Sequence, residues 1–223
     1  MTPASSNLDA AVSPACGRKV RVKICGVTRI EDALRAVELG ADFLGLNFYP
    51  PSPRCLAIDA ARRIADAVRG RTRLVGVVVN PRPGRVEALF DRVGLDLVQF
   101  HGDETPRQVE PWAARAIRAF RWRGHGQVPD PVPWEGAWGW LFDYHEEGRY
   151  GGTGRSWNYE GIAGLGEGRR LFVAGGVGPD NARHAVAASD AWALDVCSGV
   201  ESAPGIKDEG LLERLFDEVR DEI

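Results

Sequence analysis

The chain has 223 residues, 44% of them hydrophobic and 26% charged, with a formal net charge of −3. This length suits one α/β barrel domain of about 200–250 residues, and the composition excludes a disordered chain. The near-balanced charge excludes the broad positive field on which nucleic-acid binding relies, and no apolar run approaches the roughly 20 residues of a membrane-spanning helix.

Residues 1–18 are rich in Ala, Ser and Pro and read as a disordered leader, so the expected domain is 19–223. The leader has no apolar stretch of the signal-peptide type, which implies a cytoplasmic protein. Apolar runs then recur at 20–25, 43–48, 74–79, 95–100, 116–122, 138–144, 171–174 and 191–196. Being apolar on both faces, they read as buried strands. Amphipathic stretches at 30–39, 58–68, 84–93, 105–114, 179–188 and 209–219 read as helices between them. Strict alternation implies parallel strands with right-handed crossovers. Eight such units predict a single (β/α)8 TIM barrel, with a doubly wound open sheet as the structural alternative. The fifth and sixth crossovers are weak: 124–136 is rich in Gly and Pro, and 158–164 has room only for a short helix.

In such a barrel the loops after the strands form the active face. Chemistry-bearing residues cluster there. Strand one ends in Lys23-Ile24-Cys25-Gly26-Val27-Thr28, and strand two runs into Asn47-Phe48-Tyr49-Pro50-Pro51-Ser52-Pro53-Arg54. Strand four ends in Gln99-Phe100-His101-Gly102-Asp103-Glu104, and strand six in Asp143 with Gly151-Gly152-Thr153-Gly154 behind it. Strand seven ends in Ala174-Gly175-Gly176, and strand eight in Asp195-Val196-Cys197-Ser198-Gly199-Val200-Glu201. The turns Gly175-Gly176, leading to a helix opened by Pro179, and Ser198-Gly199 are suited to a phosphate. Glycines let successive N–H groups converge on one anion, and helix N-termini add positive dipole ends.

From residue 22 nearly to the end, these motifs, with Pro204-Gly205-Ile206-Lys207-Asp208 after them, match the phosphoribosylanthranilate isomerase family in order. The chain resembles that family. The resemblance implies an Amadori rearrangement of a phosphorylated aminosugar in tryptophan biosynthesis, without metal or organic cofactor. It implies Cys25 as general base, Asp143 as general acid and Arg54 as the partner of the anthranilate carboxylate. Asp143 would then need an apolar pocket to keep its proton, and Cys25 would need nearby positive charge to lose one. Phe48 is a candidate surface for the aromatic ring. His101 is expected to be a structural hydrogen-bonder and Asp195 part of the barrel wall. Cys55 and Cys197 are expected to be bystanders, and Trp122, Trp138, Trp140 and Trp192 packing residues. The four cysteines, Cys16 included, show no disulfide or zinc spacing.

Two positions depart from the family pattern: Cys197 stands where Ser is usual, and Asn47 where an apolar residue is commoner. Two other functions fit the same frame: another phosphosugar barrel enzyme, or a phosphate-ligand-binding barrel without catalysis. A monomer and a homodimer are equally compatible with the sequence.

Overall fold

A computed structural model describes residues 20–122, 126–144 and 159–220. The leader and the Gly151–Gly154 motif lie outside them. Eight parallel strands close into a barrel in sequence order. They are β1 (Arg21–Cys25), β2 (Phe43–Asn47), β3 (Arg73–Val78), β4 (Leu97–Phe100), β5 (Ala116–Trp122), β6 (Gly139–Tyr144), β7 (Leu171–Ala174) and β8 (Ala193–Val196). The ring closes where β1 pairs with β8, Lys23 opposite Asp195 and Ile24 opposite Val196. The open-sheet alternative is therefore excluded.

Helices α1 (Ile30–Glu38), α2 (Ile58–Val68), α3 (Arg85–Val93), α5 (Ala182–Ser189) and α6 (Glu209–Arg220) cover the outside. Alternate strand residues such as Val22, Ile24, Leu44 and Leu46 face them in the larger core. The expected fourth helix is instead a four-residue α4 (Pro106–Val109) that tightens into a 3-10 helix, Glu110–Arg115. Pro111 explains the change, because it has no N–H to return to the carbonyl four residues back. Among the described residues, the fifth and sixth crossovers carry 3-10 turns, Val132–Trp134 and Tyr159–Ile162. Helix α5 begins at Ala182, not at Pro179. Asn181 precedes it and accepts the Gly178 N–H at 2.8 Å, which keeps 178–181 in a turn.

Inside the barrel the two ends differ. The N-terminal end is stoppered by aromatic rings: Phe43 lies 5.5 Å from Phe172 and 5.9 Å from Trp192, centre to centre. Trp138 joins this inner cluster, so the tryptophans here are packing residues. Toward the C-terminal end the interior becomes polar, with Lys23, Gln99 and Asp195 all buried. Buried polar groups must be satisfied by one another, and that requirement organises the mouth of the barrel. After β8 the chain makes a short hairpin, β9 (Glu201–Ala203) and β10 (Ile206–Lys207), before α6.

Candidate active site

Strand β1 is regular, so Lys23 and Cys25 share one face. That face is the inside. A Cβ at Gly45 of the neighbouring β2 would fall 2.7 Å from Cys25 Sγ and 3.2 Å from Lys23 Nζ, so only glycine leaves room for both. The Cys25 thiol is held well below its ordinary value. A hydrogen bond from the Cys197 thiol is the largest cause, and the charges of Lys23 and Lys207 add to it, together outweighing burial. Cys197 keeps its proton and is raised in return. Its expected bystander role is thus corrected: Cys25 ends β1, Cys197 directly follows the adjacent β8, and each thiol shifts the other. Cys55 does stand aside, its sulfur directed to Leu56 O at 3.9 Å.

Below the sulfurs, Lys23 Nζ and Asp195 Oδ1 pair at 2.8 Å, both buried. Burial opposes the Lys23 charge, but Asp195 and Cys25 hold the ammonium protonated. Burial, then the charge on Cys25, pushes the Asp195 carboxyl up to about 7 against the pull of Lys23. Asp195 is inside the barrel, as the sequence implied.

Asp143 does not sit in an apolar pocket. Its side chain keeps 27% of its surface exposed, and its Oδ2 lies 3.1 Å from His101 Nε2. Burial alone would lower the basicity of His101. The hydrogen bond to Asp143, and the negative charges of Asp143, Cys25 and Asp195, raise it above its ordinary value. The fields of Cys25 and Asp143 thus converge on one imidazole, which places the sulfur and the acid at the same end of the barrel. Gln99 Nε2 stands 2.8 Å from His101 Nδ1, while Gln99 Oε1 has no partner. A half-turn of that amide offers its oxygen to a protonated Nδ1. The loop bearing His101 is braced by buried Glu104, which accepts the Gly102 N–H at 2.9 Å, the Asn80 N–H at 2.8 Å and Arg118 Nη1 at 2.9 Å.

Arg54 reaches the same mouth. A Cβ at Gly26, where φ is +69°, would meet the Arg54 stem at 2.5 Å and Cys197 Sγ at 3.0 Å. The guanidinium forks onto Glu201 through Nε, at 2.9 Å, and Nη2, leaving Nη1 unused among the described residues. That fork raises the Arg54 pKa. Burial works against the Glu201 charge, but Arg54 and Lys207 hold its carboxylate below the ordinary range. Asn47 serves this loop: its Oδ1 accepts the Tyr49 N–H at 2.8 Å and its Nδ2 donates to Ser52 Oγ at 3.3 Å. Ser52 Oγ in turn accepts the Arg54 N–H at 3.2 Å. Phe48 does not face the mouth. It is 5% exposed and lies in the outer core near Leu95 and Gly76, so it is corrected to a packing residue.

Lys207 ties these parts together. Its fully enclosed ammonium donates to Cys25 O at 2.6 Å, Cys197 O at 3.1 Å and Glu201 Oε1 at 2.9 Å. Sequence reasoning assigned no role to Glu201 or Lys207. The signal that was available is the Pro204-Gly205 pair between them, a turn signature; Gly205 has φ +82°.

The turns expected to hold phosphate are side by side. A Cβ on Gly199 would fall 2.1 Å from Val177 O and 2.8 Å from Gly178 Cα, so the seventh and eighth loops touch backbone to backbone. Gly175 and Gly176 adopt φ of +88° and +71°, and Ser198 opens the short 3-10 helix Ser198–Val200. Paired loops with a short helix N-terminus are the phosphate grip of many barrels. Among the described residues no cluster of three or more His, Cys, Asp or Glu could hold a metal ion, and no helix is long and apolar enough to cross a membrane.

This arrangement has close parallels. Residues 22–218 match the sequence profile of N-(5'-phosphoribosyl)anthranilate (PRA) isomerase. An N-(5'-phosphoribosyl)anthranilate isomerase of Halorhodospira halophila is 43% identical over 202 residues, covering 90% of this chain and 97% of that one. The phosphoribosyl anthranilate isomerase of Thermotoga maritima superposes with a TM-score of 0.79 at 34% identity, covering 90% of this chain and 98% of that one. A phosphoribosyl anthranilate isomerase solved in complex with reduced 1-(o-carboxyphenylamino)-1-deoxyribulose 5-phosphate gives 0.75 at 33% identity, with the same coverage. With a profile match over most of its length and a relative of this identity along nearly the whole barrel, the chain belongs to the N-(5'-phosphoribosyl)anthranilate isomerase family of enzymes.

Proposed function

We propose that the protein converts N-(5'-phosphoribosyl)anthranilate to 1-(2-carboxyphenylamino)-1-deoxyribulose 5-phosphate, a step of tryptophan biosynthesis, with Cys25 as general base and Asp143 as general acid. The observation that carries this reading is a thiol whose pKa is lowered by Cys197, Lys23 and Lys207, at the same barrel mouth as a carboxyl group 3.1 Å from an imidazole of raised basicity.

Asp143 gives a proton to the furanose ring oxygen, and the C1–O bond opens to a Schiff base. His101 replaces that proton through its 3.1 Å contact with Asp143. The Cys25 thiolate removes the proton from C2, giving an enolamine. Tautomerisation places a proton on C1 and leaves a ketone at C2. The Cys25 thiol then gives up its proton and His101 regains one through solvent, so that atoms and charge balance over the turnover. Such positioned proton transfers contribute about 10²–10⁴-fold each.

Binding follows from the same geometry. Arg54, oriented by Glu201, offers its unused edge to the anthranilate carboxylate. The backbone of Gly175, Gly176, Ser198 and Gly199 grips the phosphate. Every group named lies on one chain, so a monomer suffices and a homodimer is compatible. A cytoplasmic setting keeps the catalytic thiol reduced.

The test is a fluorescence assay of the purified protein with N-(5'-phosphoribosyl)anthranilate. Conversion to the deoxyribulose product is expected. Tight binding without product would identify a non-catalytic barrel and overturn the proposal.

A further inference from the structure

We propose that Cys25 and Cys197 form a peroxide-responsive thiol pair, in which a reversible disulfide across the β1–β8 seam switches the site off. Its effect on turnover rests on the role given above to Cys25.

The geometry carries the idea. Strands β1 and β8 pair Lys23 with Asp195 and Ile24 with Val196. One more step along the register sets Cys25 opposite Cys197, with both side chains on the inner face. Adjacent strands lie about 4.8 Å apart, inside the span of about 4.4–6.8 Å that disulfide Cα atoms adopt. Lys207 holds the two carbonyls on one ammonium, at 2.6 and 3.1 Å, which fixes this spacing. The sulfurs are close enough for each to shift the titration of the other. Both residues are half-buried, so a molecule as small as hydrogen peroxide reaches them. Cys55 points elsewhere. The serine usual at position 197 could not do this chemistry.

The Cys25 thiolate attacks a peroxide oxygen. An S–O bond forms, the O–O bond breaks, and the released hydroxide takes a proton to leave as water. Cys25 is now a sulfenic acid, oxidised by two electrons. The Cys197 sulfur, giving its proton to the departing hydroxyl, attacks Cys25; the S–S bond forms, the S–O bond breaks and a second water leaves. In sum, two thiols and one peroxide become a disulfide and two waters. An added dithiol reverses it by exchange. Without the second sulfur, Cys25 continues to the irreversible sulfinic acid.

The experiment treats the full-length reduced protein with hydrogen peroxide and follows turnover, intact mass and the peptide map. Expected are loss of two hydrogens, a Cys25–Cys197 cross-link, a fall in turnover of about tenfold or more, and recovery with dithiothreitol. Cys197→Ser, read against its own untreated rate, is expected to gain oxygen instead and not to recover. Inactivation of the wild type by oxygen gain alone, a cross-link to Cys16 or Cys55, or full recovery of Cys197→Ser would overturn the proposal. A mapped Cys25–Cys197 cross-link with unchanged turnover would uphold the thiol pair and instead sink the role of Cys25 as base.

Discussion

His101 Nε2 and Asp143 Oδ2 stand 3.1 Å apart at the mouth of the barrel, with Gln99 behind the imidazole. The acid therefore has a proton source at its back. Asp143→Asn is predicted to lower kcat by about 10²–10⁴-fold, with the circular dichroism spectrum and product-analogue affinity kept. The pair loses its proton as pH rises through the raised pKa of His101. That loss gives an alkaline limb to kcat/KM. His101→Ala is predicted to move this limb to lower pH. An unmoved limb would remove His101 from the proton path.

The second prediction concerns the base. As pH falls through the lowered pKa of Cys25, the thiolate is lost and the rate drops. The acid limb of kcat/KM and the rate of alkylation by iodoacetamide should share one midpoint, below the ordinary thiol value of about 8.5. Cys197→Ala deletes the largest cause of the lowering, so the midpoint moves up. Cys197→Ser moves it less, since a hydroxyl still donates. A wild-type midpoint at the ordinary thiol value would refute this account.

The third prediction is for stability. Lys23→Met leaves Asp195 buried without its cation, and breaking such a pair costs about 3–5 kcal/mol. Asp195 is already pushed up to about 7, above its unfolded value near 3.9. A carboxyl raised on folding lends stability that is complete below the unfolded value and lost as pH rises through the folded one. Urea melts of Lys23→Met should therefore show most of the loss at about pH 8 and less at about pH 5. Equal losses at both would mean that Asp195 stays charged throughout.

The fourth prediction separates binding from chemistry. Arg54→Lys keeps the charge and loses the fork. Without a two-point grip on the substrate carboxylate, KM should rise about tenfold or more, equivalent to about 1.4 kcal/mol, with kcat changed less. Glu201→Gln loosens the same guanidinium and should move KM the same way by a smaller factor. A fall in kcat alone would place Arg54 in the chemistry instead.

Much of this architecture was legible in the residues. Strands such as 116–122 and 171–174 read true to the residue because apolar runs flanked by turn residues have few other readings. Where local rules competed, the outcome was harder to see. Pro111 cut short α4, and the Asn181 side chain delayed α5 past Pro179. Phe48 misled because it ends an apolar run beside polar motif residues. Only the strand pleat decides that Asn47 faces the loop and Phe48 the outer core.

The supporting groups of the site were less legible, for one physical reason. His101 gains meaning from Asp143, 42 residues away, and Lys207 from Cys25, 182 residues away. Such partnerships exist only once the barrel sets its register. The expectation for Asp143 failed similarly. An acid at a strand end suggested an apolar enclosure, but the loop after β4, two strands away, supplied an imidazole.

The ammonium of Lys207 gathers carbonyls from the two extremes of the barrel sequence. During synthesis, β1 leaves the ribosome long before its partner β8, and residue 207 follows β8. The half-finished chain thus carries Cys25 without the neighbours that lower its pKa. Assembly of the mouth is a closing event, after which strand pairing, ion pairing and competence for chemistry arrive together.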